Sequence, residues 1–439
     1  MIVSGVFLRL FRVVIVGGLC ATTGLAQHIP GYNYDEGKIL PYVLLDPLKF
    51  SDGSAVTTKA EWWDRRRPEI VRLFEENVLG RTPENARVPL RAHVVEIDRH
   101  ALGGRAVRKQ IDLYFTPQGE RGAKMRLLVY LPAHARRRSA VVLGLNFGGN
   151  QTVLEDPAIQ PTPVWTKPKG ATELLHQLPE EKTRGTQTQE WQVEKIISRG
   201  YGLATAYYGD LEPDFKDASQ YSVRQLFAKP GQTPNGDDWG AIGAWAWGLS
   251  RAVDYLASDK DVDAKRIVVT GHSRLGKVAD WAAAQDLRIA GVLSTESGKG
   301  GQSISRREIG ETVLHLEHSF PYWFCPNYEK WAGHDQEIPA DGNLLLSLIA
   351  PRPLYVASAA GDEWSDPKGE FMSAVSASRV YALLGKRGLE ATTMPAVDQP
   401  LLKGDVAYHI RTGKHDVTTF DWEQYLNFLD LQFGMQVRP

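Results

Sequence analysis

Between Arg266 and Gln285 a β-branched run, Ile267-Val268-Val269-Thr270, passes through Gly271-His272-Ser273-Arg274-Leu275-Gly276 straight into a stretch whose apolar residues Val278, Trp281 and Ala282 recur at helical spacing. A strand that turns this sharply into a helix needs neighbours on both of its faces, and the chain supplies them by repeating the alternation. From Ala106 onward, strands are expected over 106–115, 127–131, 140–145, 202–207, 266–270, 290–294, 354–358 and 392–396. Helices are expected over 238–257, 274–285, 369–384 and 417–433. The predicted class is α/β, a mostly parallel central sheet sandwiched by helices in three layers. Residues 34–81, with one helix over 59–76, read as a segment that wraps this core. The expected division is therefore a leader over 1–26, a wrapping segment over 27–100 and the main domain over 101–439.

A chain of 439 residues can bury a large core without disulfides or metals. Its 51 Lys and Arg against 52 Asp and Glu leave no field to recruit nucleic acid or an anionic membrane, so neither is expected as a partner. Arg9 and Arg12, the apolar run from Val13 to Leu19 and the small residues Gly24 and Ala26 read as a signal peptide cleaved before Gln27, which predicts a periplasmic or secreted protein. Cys20 lies within that leader, and Leu19 stands where a lipoprotein signal has a small residue. The mature chain then holds Cys325 alone and forms no internal disulfide.

Strand, turn and helix around Ser273 form the setting of a nucleophile elbow in the α/β-hydrolase fold, although Leu275 stands where the usual G-x-S-x-G has its second glycine and Gly276 follows one place later. The plain alternative is that Ser273 caps the helix. A serine nucleophile needs a base oriented by a carboxylate. Of the histidines that follow it, His315, His318, His334, His409 and His415, the last is best placed, after the final strand and before the terminal helix, with His409 its rival. The acid has two candidates, Glu296 after the sixth strand and Asp362 after the seventh, and the residues alone favour Asp362 slightly. Donors for an oxyanion are expected from the Arg274 backbone N–H, from its guanidinium, and from the turn Leu145-Asn146-Phe147-Gly148-Gly149-Asn150. The long connections 148–198 and 297–350 both leave the edge of the sheet where ligands bind in such folds.

At these residues the sequence resembles the glucuronoyl esterases, carbohydrate esterase family 15, of bacterial type. The marks are Leu145 to Asn150, Tyr207-Tyr208-Gly209-Asp210, Trp245 to Trp247, Gly271-His272-Ser273-Arg274-Leu275-Gly276-Lys277, Glu296-Ser297-Gly298, Phe320 to Phe324 and His415-Asp416. The resemblance implies Ser273 as nucleophile, His415 as base and Arg274 as oxyanion stabiliser. It moves the acid to Glu296, with Asp362 as the alternative or an auxiliary. It also implies that Lys277, Glu311 and Trp364 contact the sugar. His272 stands where fungal relatives carry a disulfide-bonded cysteine.

The implied substrate is the ester between 4-O-methyl-glucuronic acid of glucuronoxylan and lignin alcohols, cleaved through an acyl-enzyme. No metal or organic cofactor is expected, because no ligand cluster of suitable spacing appears in the sequence. A monomer is expected. Two other readings share parts of the pattern: an acetyl or feruloyl esterase acting on hemicellulose, and a noncatalytic carbohydrate-binding protein on a hydrolase scaffold.

Overall fold

The computed structural model describes residues 28–86, 88–116, 123–135, 137–228, 231 and 234–434; the leader at 1–26, with Cys20, lies outside them. Among the described residues the strands are β1 (Arg91–His100), β2 (Ala106–Tyr114), β3 (Lys124–Pro132), β4 (Ser139–Asn146), β5 (Val164–Thr166), β6 (Leu175–Gln177), β7 (Gly202–Tyr207), β8 (Val262–His272), β9 (Gly291–Thr295), β10 (Leu354–Ala359) and β11 (Val406–Arg411). Nine of them make one sheet in the order β1-β2-β3-β7-β4-β8-β9-β10-β11, and β5 pairs with β6 in a separate hairpin. From β7 to β11 every pairing is parallel, while β1, β2 and β3 join antiparallel at one edge. Strands such as β4 and β7 are buried at every position, which is why they read as continuous apolar runs with no alternation.

Helices cover both faces. On one lie Ala241–Ser258, Arg274–Gln285 and Pro367–Leu383, whose Trp245 and Trp281 are fully buried; on the other lies Thr419–Phe433, whose Trp422 and Tyr425 pack with Tyr355 of β10. The expected helix over 59–76 is present from Lys59 to Asn77 but widens into a π-turn at Trp62–Arg66, where the Trp62 ring is fully buried in the core. Thr58 and Glu61 close a capping box at its start.

In the main sheet two strands differ from expectation, and the short β5–β6 hairpin is an addition. Residues 392–396 form no strand: Pro395 lacks a donor, and the last parallel strand is instead Val406–Arg411, paired along its length with β10. Arg91–His100, an exposed and mostly polar run, adds an edge strand that pairs with β2. No described helix is long and apolar enough to cross a membrane.

Candidate active site

The carboxyl ends of β8, β9, β10 and β11 bring the site together. At the end of β8 Ser273 has φ 58° and ψ −129°, a conformation disfavoured for a residue with a Cβ and held here by a bond from its N–H to the Thr295 carbonyl at 2.9 Å. The turn is tight enough that a Cβ on Gly271 would lie 1.9 Å from the Leu275 carbonyl oxygen, and one on Gly276 would lie 2.9 Å from both Ser294 Oγ and Ser297 Cβ. The displaced glycine of the motif thus serves the approach of the following helix to β9, while Leu275 fills the core. As the first residue of its helix, Arg274 has a backbone N–H with no intrahelical acceptor.

The Arg274 guanidinium is fixed from two directions. Its Nη1 donates to Asp214, and the rings of Trp323, Phe147 and Phe320 lie 4.8, 5.6 and 5.8 Å away. Asp214 also accepts from Tyr208 (3.1 Å), Tyr322 (2.8 Å) and Trp323 (2.7 Å). Burial works against the arginine's charge, but Asp214 outweighs it and holds the group above its ordinary range. Its Nε is buried with no partner among the described residues.

His415, 39% exposed, follows β11, and its Nδ1 lies 2.7 Å from Asp362 Oδ2 and 3.3 Å from Glu296 Oε2. Both acid candidates therefore reach one imidazole from neighbouring strand ends. They differ in surroundings: Glu296 is buried and receives Arg411 Nη2 (3.1 Å) and the Asp416 N–H (2.9 Å). Burial, and then the charge of Asp362, push its pKa well above the usual carboxylate value, with Arg411 opposing. The His272 ring lies 4.5 Å from that of His415, tilted 40° to it, and sits 3.3 Å from Glu296; burial drives its pKa well below the ordinary histidine value, which favours the neutral form. The rival base, His409, is fully buried within β11, bonded to Tyr355 (2.8 Å) and Asp421 (2.9 Å), a structural role.

Donor atoms of His272, Glu296 and His415 lie within 4.8 Å of one another, a set that in isolation suits a cation. The same carboxylate, however, already receives Arg411 and Asp416, so hydrogen bonding accounts for it. In the Asn146–Asn150 turn, the Gly149 N–H is taken by the Asn146 side chain at 2.8 Å, which makes that donor structural.

Lys277 and Glu311 meet as expected, Nζ to Oε2 at 3.5 Å, but Lys277 is only 3% exposed and also donates to the Ser297 carbonyl. Burial lowers its pKa, with Glu311 acting against the shift. Trp364 is half-buried beside them: its carbonyl accepts the Glu311 N–H at 2.9 Å, and its ring meets Tyr32 and His315 edge-on at 4.9 and 4.8 Å. Sequence reasoning missed Asp214 and Arg411. Arg411, a cation ending a strand run whose only other ionisable side chains are Tyr408 and His409, carried a signal; Asp214, in an irregular loop, carried none.

Fold, elbow and charged cluster define a carboxylic ester hydrolase of the α/β-hydrolase type. A family model for glucuronyl esterases of fungi matches residues 233–385. The chain is 43% identical over 404 residues to the carbohydrate esterase MZ0003 of an unknown prokaryotic organism, covering 91% of this chain and 92% of that one. It superposes on a glucuronoyl esterase from Solibacter usitatus with a TM-score of 0.86 and 49% identity, over 91% of this chain and all 100% of the other. It likewise matches a promiscuous CE15 esterase from a marine bacterial metagenome, with a TM-score of 0.84 and 42% identity over 91% and 99% of the two chains. The chain belongs to carbohydrate esterase family 15, the glucuronoyl esterases.

Proposed function

We propose that the protein hydrolyses the ester joining 4-O-methyl-glucuronic acid of glucuronoxylan to lignin alcohols, with Ser273 as nucleophile. The observation that carries this reading is the strained Ser273 elbow after β8, with Arg274 at the helix start and, at the same carboxyl edge of the sheet, His415 after β11 with two carboxylates at its Nδ1. Ser273 attacks the C6 carbonyl while His415 Nε2 takes its proton. The Arg274 backbone N–H and guanidinium stabilise the oxyanion; the unpartnered Nε supports this role. His415 then protonates the departing alcohol, and water releases the uronic acid by the reverse sequence. Asp362 and Glu296 share the task of orienting Nδ1–H, while Lys277, Glu311 and Trp364 form the sugar side of the site.

The leader over 1–26 directs export to the periplasm or beyond, the segment 27–100 wraps the catalytic domain 101–439, and the protein acts as a monomer. Hydrolysis of benzyl glucuronate against an acetyl-ester control tests the substrate assignment. Turnover of the acetyl ester alone points to an acetyl or feruloyl esterase, and failure of a fluorophosphonate to label Ser273 points to a noncatalytic binding protein.

A further inference from the structure

Next to Trp364 the surface opens into a cavity of about 730 Å³ that none of the chemistry above uses. One wall is the segment 28–40, which contributes His28, Tyr32, Tyr34, Lys38 and Leu40; Arg307 and Glu308 line the other. Tyr32 belongs to both places, since its ring meets the edge of Trp364 at 4.9 Å and its hydroxyl lies 2.8 Å from His315 Nδ1. The wall is fastened along its length. The Gly310 N–H donates to the Asn33 carbonyl at 2.8 Å, His28 pairs with Glu363 at 2.6 Å, and Glu36 pairs with Arg307 and with Lys368, the latter at 2.6 Å. Glu363 stands between Asp362, which touches His415, and Trp364. One short loop therefore ties the catalytic base to the cavity wall.

The lining specifies the chemistry of a ligand. His28 and Tyr34 stack face to face, with centroids 4.1 Å apart and planes 7° off parallel, a rigid pair that leaves only its outer ring faces for a ligand, and Leu40 is 63% exposed. The cations are already matched: Lys38 by Asp35 at 3.8 Å, and Arg307 by Glu36 and Asp366. Paired charges around apolar faces suit a neutral, flat, polyhydroxylated ligand and give an ion no advantage. The volume falls within the range of roughly 300–1,000 Å³ typical of small-ligand sites, enough for a short oligosaccharide. We infer that this cavity binds the neutral xylose units of the polysaccharide main chain adjoining the esterified uronic acid, an inference that rests on the glucuronate reading of the active site. The segment 28–40 is then a substrate-binding wall as well as a wrapping strap.

Two esters with the same alcohol separate the cavity from the catalytic centre: benzyl glucuronate, and the benzyl ester of the same uronic acid carried on xylotetraose. Tyr34→Ala is expected to lower kcat/KM for the long ester by about 3- to 10-fold, the range for losing one aromatic contact, and to leave the short ester unchanged. Because the Tyr34 hydroxyl also accepts the Ile29 N–H at 3.0 Å, Lys38→Ala is run alongside; that side chain is 75% exposed, and its expected effect is a loss of about 3-fold on the long ester alone. Equal losses on both esters, or no loss on the long one in either variant, overturn the subsite while the glucuronate assignment stands. Failure of the unmodified protein to turn over either ester overturns both.

Discussion

Asp362 Oδ2 lies 2.7 Å from His415 Nδ1, closer than Glu296 Oε2 at 3.3 Å, although the two carboxylates approach from the ends of adjacent strands. On the proposed mechanism the nearer acid takes the Nδ1–H, and the farther one, whose ionisation burial opposes, is engaged by Arg411 and by the Asp416 N–H. Asp362→Asn is therefore expected to lower kcat by about 10- to 100-fold and Glu296→Gln by less. The double variant should approach the loss of roughly 10³-fold or more seen when a triad acid is removed outright. A loss of that size in Glu296→Gln alone, with Asp362→Asn nearly silent, makes Glu296 the sole acid.

Ser273→Ala is expected to cost roughly 10⁴-fold or more in kcat with the fold intact, and to abolish labelling by a fluorophosphonate. Near-normal turnover in this variant ends the serine-esterase mechanism.

Arg274 is held by Asp214 on one side and by Trp323, Phe147 and Phe320 around its plane. Its replacement by Ala should lower kcat by about 10²- to 10³-fold, as for other oxyanion donors, with a smaller change in KM. A change confined to KM would assign the guanidinium to ground-state binding instead.

Lys277→Ala removes the partner of Glu311 beneath the sugar side of the site. The expected loss in kcat/KM is about 10- to 100-fold on benzyl glucuronate, with hydrolysis of a simple acetyl ester nearly unchanged, because the lost donor matters only to a substrate that offers hydroxyls. Equal losses on both esters mean that Lys277 supports the elbow from below.

Burial pushes Glu370 up to about 8 against the pull of its bonds from Ser358 Oγ (2.6 Å) and the Gly298 N–H (3.1 Å). Between the ordinary glutamate value and about 8 the folded chain holds a proton that the unfolded chain releases, so this group makes stability fall as pH rises through that window. Glu370→Gln keeps a side chain of the same shape without the ionisation. Its Tm should decline less than that of the unmodified protein between pH values of about 5 and about 8. An unchanged decline shows that Glu370 does not carry the dependence.

How much of this was legible in the sequence depends on whether a residue's role is set locally. Ser273 and His415 stood out because each follows a strand and precedes a helix, and chain order alone carries that information. The last strand was misplaced to 392–396 because its real residues, Val406–Arg411, contain His409, which read as a rival base, and the charged Arg411; both are buried partners of Asp421. The spacing places Lys277 on the same helix side as Ser273, one turn away. What the spacing does not carry is the loop that packs over it, so close that a Cβ on Gly301 would lie 2.8 Å from Lys277 Cγ. Asp214 was invisible for the same reason, since Tyr208, Tyr322 and Trp323 converge on it only in the folded chain.

Two carboxylates on neighbouring strand ends, aimed at one imidazole, also bear on how such a site changes over time. A chain with a single acid loses its base's support in one mutational step. On the proposed mechanism, either acid can drift to a neutral residue here while the other still reaches His415 Nδ1. The supporting carboxylate can thus pass from β9 to β10, or back, through descendants that all remain active, and related chains that carry only one of the two acids are the expected products of that drift.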